Sequence, residues 1–145
     1  MYEVRVTADF AAAHFLKDYN GKCENLHGHN YKVYAHVRGN RLDEGGMLLD
    51  FTKLKSVLRG VCAELDHTNL NEMPVFKQNP SAERIAKYIF DAIIERELLS
   101  GEDLRKGEGK TQHRRDKATA RILSPVQIEM KPDAKTDKHR GITHD

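Results

Sequence analysis

Cys23-Glu24-Asn25-Leu26-His27-Gly28-His29-Asn30-Tyr31 sets one thiol and two imidazoles within seven residues. His27 and His29 are two positions apart, and in extended backbone such residues share a face. Gly28 between them leaves the approach open. A neutral imidazole nitrogen binds Zn²⁺ at about 2.0–2.1 Å, so both rings can reach one ion. Three protein ligands with an open fourth position make the catalytic arrangement. The pair therefore directs attention to a third ligand and to groups able to move protons.

Upstream, residues 1–14 alternate with Val4, Val6, Ala8 and Phe10 in one phase, a strand that ends at His14. Asp18-Tyr19-Asn20-Gly21 is turn chemistry, because Asn-Gly tolerates positive φ. Downstream, residues 30–39 alternate again, with Tyr31, Val33, Ala35 and Val37 in phase. They predict a second strand antiparallel to the first, with His27 and His29 just ahead of it. If the two strands pair, His14 converges on His27 and His29. The alternative is a His14 that packs or bonds to backbone. Cys23 is either a fourth ligand that closes a structural site or a thiolate beside a cation. Spacing does not separate the two.

Asp50 is placed to cap a helix from Phe51, where Phe51, Leu54, Val57, Leu58, Val61 and Leu65 form an amphipathic stripe. Cys62 within it reads as a packing residue. Asp66-His67 follows the helix end, either as an ordinary polar terminus or as a carboxylate that orients an imidazole. Ser81 caps a second helix with Ile85, Ile89, Ala92 and Ile93 on its buried face, running to about residue 99. Residues 101–117 are strongly charged and predict an exposed insertion, with a basic phosphate-binding loop as the alternative. Residues 122–130 predict a third strand, and residues 139–143 a short fourth. Glu129 is the carboxylate within the third strand, where such a residue usually faces solvent.

The expected fold is α+β: an antiparallel four-stranded sheet in ββααββ order with two helices on one face, as one domain over residues 1–145. Its open edges need protection, and oligomerisation is one solution. The 145 residues are 32 % charged and 39 % hydrophobic with net charge +2, so no general electrostatic case exists for nucleic acid or membrane surfaces. Two cysteines are too few for a disulfide framework, and no run approaches the roughly 20 apolar residues of a membrane span. The expected setting is the reduced cytoplasm.

Several stretches together carry a family resemblance. Ala12-Ala13-His14-Phe15, Gly21 through Tyr31, Gly46-Met47-Leu48-Leu49-Asp50-Phe51, Leu65-Asp66-His67-Thr68-Asn69-Leu70-Asn71 and Asn79-Pro80-Ser81-Ala82-Glu83 resemble the 6-pyruvoyl-tetrahydropterin synthase family over residues 1–99. The short loops favour its 6-carboxytetrahydropterin synthase branch, which serves queuosine biosynthesis. The resemblance implies a tunnelling fold (T-fold) in which subunits close a barrel and trimers stack into a homohexamer, with active sites between subunits. It implies Zn²⁺ on His14, His27 and His29, Cys23 as the proton-abstracting base, and Asp66 with His67 in its relay. The implied substrate is 7,8-dihydroneopterin triphosphate; the implied products are 6-carboxy-5,6,7,8-tetrahydropterin, acetaldehyde and triphosphate.

The family's pterin-anchoring Glu follows two alternating apolar residues. With Val126 and Ile128 in those places, its position falls on Met130 and Glu129 faces the other way. A shorter or bulged strand hands the role to Glu129, and Pro132-Asp133-Ala134-Lys135 after it favours that register, so Glu129 is the expected pterin anchor. A 6-pyruvoyl-forming synthase, or a zinc-stabilised pterin-binding protein with impaired catalysis, is the alternative function.

Overall fold

Two long strands dominate the computed structural model, which describes residues 1–77, 79–100, 121–123 and 127–132. β1 (Tyr2–His14) and β2 (His27–Gly39) pair antiparallel along their whole lengths, from Tyr2 opposite Gly39 to His14 opposite His27. Alternation sorts their side chains by face. Val6, Ala8, Phe10 and Ala12 of β1 and Tyr31, Val33, Ala35 and Val37 of β2 are buried on one side. Against them lie α1 (Phe51–Leu65), through Leu54, Leu58, Val61, Cys62 and Leu65, and α2 (Ala82–Ser100), through Ile85, Ile89, Ala92 and Ile93. The other face carries the charged phase, including Glu3, Arg5, Asp9, Lys32 and Arg38.

Both predicted helix starts stand. Asp50 accepts from Thr52 N–H at 2.9 Å, and Ser81 Oγ from Arg84 N–H at 3.4 Å. Phe51 departs from the predicted stripe and is exposed. Cys62 is buried in the core, and burial pushes its thiol up to about 12. It is a packing residue.

The sheet itself corrects the expectation of four antiparallel strands. Among the described residues it has five strands and is mixed, in the order β3-β1-β2-β4, with β5 also on β2. β3 (Thr68–Asn69) runs parallel to β1 beside Ala12 and Ala13. Two residues are too few for any alternation to register in sequence. β2 begins at His27, so the two histidines lie inside the strand rather than ahead of it. Pairing with His14 and Ala12 of β1 carries the ladder through them.

The single predicted third strand is two pieces, β4 (Arg121–Leu123) and β5 (Gln127–Pro132), both antiparallel to β2. Val37 pairs with Leu123 and Tyr34 with Gln127, so the register differs by one residue between the pieces, and residues 124–126 lie outside the described residues. The charged insertion at 101–117 and the strand predicted at 139–143 lie outside the described residues. Among the described residues no helix is long and apolar enough to cross a membrane.

Candidate metal centre and proton-transfer groups

The full-length register of the hairpin brings three histidines together. His14 sits opposite His27, and Ala12 opposite His29, with all three rings on the helix-facing side. Ring centroids are 4.6 Å apart for His14–His27, 5.1 Å for His14–His29 and 4.7 Å for His27–His29. One nitrogen from each lies within 4.8 Å of the others. A tetrahedral ion with nitrogen ligands at about 2.0–2.1 Å places them roughly 3.4 Å apart, which small ring rotations reach.

Second partners set the tautomers. His14 Nδ1–H donates to the Pro80 carbonyl at 2.8 Å, and His27 Nδ1–H to the Asn25 carbonyl at 2.6 Å. Each bond leaves the Nε2 lone pair free to ligate. Burial lowers the His14 pKa below the usual histidine value; the Pro80 carbonyl opposes this and neighbouring His27 adds to it. The ring is thereby held neutral, the form a metal needs. Tyr31 packs edge-on against His14 and His29, at 6.1 and 5.7 Å, and stacks on Phe10 at 4.6 Å. The donor set is convergent and three-membered, and it fits a divalent cation of the zinc class.

Cys23 stands outside this group of three. It lies half-buried in a short 3₁₀ turn, Lys22–Glu24, and its carbonyl accepts from Leu16 N–H at 2.8 Å. The predicted turn before it is present, with Asn20 at φ 55°.

Asp66 and His67 occupy the β1 edge that β2 leaves open. Asp66 Oδ1 accepts from Ala11 N–H at 2.8 Å, and His67 N–H donates to the Ala11 carbonyl at 2.6 Å. Asp66 Oδ2 holds His67 Nδ1 at 2.9 Å. The Ala11 amide, with the His67 side chain second, keeps the Asp66 carboxyl below the usual carboxylate range. His67 is 82 % exposed and takes φ 55°, a left-handed conformation that favours glycine. Among the described residues no hydrogen bond links the Cys23 thiol to Asp66 or His67.

Glu129 lies opposite Lys32 and accepts from Tyr34 O–H at 3.2 Å, on the charged face, away from the histidines. Met130, opposite Tyr31, shares the histidine-bearing face with Ile128, opposite Val33. This corrects the expected register: β5 takes the one that turns Glu129 outward, because Ile128 pairs opposite Val33 on the core face. Residue patterns gave no roles to Pro80, Asn71 or Asn79, although all three fall within the motifs that carry the resemblance. The available signal was polar or breaking residues recurring in short loops beside helix ends.

Fold and site define an α+β protein with a candidate three-histidine metal centre at the end of a long hairpin. The model of the family described as 6-pyruvoyl tetrahydropterin synthase matches residues 3–109, and the chain belongs to that family of enzymes. It is 32 % identical over 134 residues to the 6-carboxy-5,6,7,8-tetrahydropterin synthase of Haemophilus influenzae, covering 77 % of this chain and 95 % of that one. Over 98 residues it is 36 % identical to the enzyme of the same name from Bacillus subtilis, covering 63 % of this chain and 65 % of that one. The solved 6-pyruvoyl tetrahydropterin synthase of Caenorhabditis elegans superposes with a TM-score of 0.66 at 27 % identity, covering 90 % of this chain and 89 % of that one. The fold is the T-fold.

Proposed function

We propose that the protein is a cytoplasmic, zinc-dependent 6-carboxy-5,6,7,8-tetrahydropterin synthase of queuosine biosynthesis. It would convert 7,8-dihydroneopterin triphosphate and one water to 6-carboxytetrahydropterin, acetaldehyde and triphosphate. The observation that carries this reading is the convergence of His14, His27 and His29, two of them held by backbone carbonyls with Nε2 turned free. The similarity to two 6-carboxytetrahydropterin synthases supports the branch.

Bound zinc would supply Lewis acidity toward the hydroxyls of the substrate's side chain. Cys23 removes the proton from the adjacent carbon, and His67, oriented by Asp66, exchanges protons with the departing fragment. Within one chain no described hydrogen bond joins Cys23 to the Asp66–His67 pair, which stands at the β1 edge just ahead of β3, where β1 goes on unpaired toward its start among the described residues. The relay closes between subunits of a homohexamer, where an open β1 edge meets a neighbour. Glu129, turned to the charged face, meets the pterin only across such a boundary.

The deciding assay is incubation of the zinc-loaded protein with dihydroneopterin triphosphate. Acetaldehyde is expected in one-to-one ratio with the carboxylated pterin. Triphosphate release without acetaldehyde would identify a 6-pyruvoyl-forming enzyme, and no turnover by an intact, zinc-loaded assembly would refute the enzymatic reading.

His67→Gly separates catalysis from stability. Glycine relieves the left-handed backbone, a gain of about 0.5–1 kcal/mol, while the exposed pair with Asp66 contributes almost nothing. The urea midpoint should rise as turnover falls. A midpoint that falls would show that the imidazole is needed for folding.

A further inference from the structure

Just beyond His14 no strand among the described residues continues the edge that β3 occupies, yet the backbone groups there are paired. Phe15 N–H donates to Asn71 Oδ1 at 2.9 Å, and Asn71 Nδ2 donates to the Phe15 carbonyl at 2.9 Å. Lys17 N–H donates to Asn79 Oδ1 at 2.7 Å, and Asn79 Nδ2 to the Lys17 carbonyl at 3.1 Å. An extended strand presents the N–H and C=O of alternate residues to one edge. A carboxamide carries one acceptor and a donor pair side by side, so each asparagine stands in for one residue of a missing neighbour strand.

On the opposite edge, the intervening Leu16 N–H donates to the Cys23 carbonyl at 2.8 Å. Asn79 is followed by Pro80, whose carbonyl holds the His14 ring. Asn71 is itself fixed, because its N–H donates to Asn69 Oδ1 at 3.2 Å. One short segment therefore joins the metal-side histidine, the two amides and the cysteine turn.

We propose that Asn71 and Asn79 are positioning residues for Cys23. By holding residues 15–17 extended, they fix the Leu16 amide on which the Cys23 turn hangs, and so set where the thiol stands relative to the histidines. The functional half of this inference rests on Cys23 being the proton-transfer group.

The two cysteines make the test internal, since Cys23 is half-buried in the turn and Cys62 is buried in the core. Asn71→Ala, Asn79→Ala and the double variant are treated with iodoacetamide as native, zinc-loaded protein, and each thiol's alkylation is followed by mass spectrometry. Cys23 should react about tenfold faster or more in the double variant, the scale set by a few lost neutral hydrogen bonds. Cys62 should stay as protected as in the parent, and zinc content should be unchanged. In an active parent, kcat should fall while KM holds.

Cys23 and Cys62 becoming reactive in step would overturn the proposal, since the amides would then only hold the fold together. An unchanged Cys23 rate would overturn it too. Asn71→Asp keeps the bond from Phe15 N–H and loses the one to its carbonyl, so it gives the same reading if the double variant does not fold. A parent without turnover would sink the enzymatic function, yet the alkylation ratio would still decide the clamp.

Discussion

Cys23→Ala is expected to keep its zinc and lose its turnover. The three nitrogens of His14, His27 and His29 already form a convergent set without sulfur, and Cys23 is not a fourth member of it. Removing the thiol therefore leaves the ligand count at three and the open position open. The Leu16–Cys23 bond runs through the backbone carbonyl and survives the substitution. The side chain is half-buried, so the fold should lose little. A positioned proton-transfer group contributes typically 10²–10⁴-fold, and a loss of about that size in kcat is the expected result. Metal analysis beside the rate measurement decides the role. A variant that loses zinc together with activity would make Cys23 a ligand and remove it from proton transfer.

His27→Ala should instead abolish the metal centre. Among the three histidines it is the cleanest probe. His14 is 3 % exposed and braces Pro80, so its loss also opens the core. His27 is half-buried and is tied to the nearby Asn25 carbonyl. Even the outer partners of metal ligands are worth about 10–100-fold in affinity, so losing a ligand should cost more than about 100-fold. The readout is a competition with a zinc chelator at a concentration that leaves the parent loaded. Thermal unfolding supplies an independent one. An ion at 100 times its Kd stabilises the folded parent by about 2.7 kcal/mol, and the variant should show no such response at the same zinc concentration. An unchanged affinity would mean that His27 is not a ligand.

The sequence determined more of the centre than of its surroundings. His27 and His29 were legible as a pair because the i, i+2 relation is local and survives in any extended backbone. The hydrophobic phases of β1 and β2, the caps at Asp50 and Ser81, and the helix faces were legible for the same reason. Each is a statement about neighbours in the chain.

Tertiary structure alone decided what depends on register and on distant partners. His14 joins the pair because the hairpin register runs unbroken to its last residue; a one-residue slip would turn that ring to the opposite face. Glu129 is turned away from the histidines by how β5 registers on β2, with a one-residue shift between β4 and β5 that its own sequence does not encode. The grip of Asn71 and Asn79 on residues 15 and 17 spans 56 and 62 positions, and an asparagine carries no local sign of the backbone it will hold. Alternation in a strand specifies which side a residue faces. Only the packed chain specifies which residues meet there, because pairing is selected by the burial of the whole face.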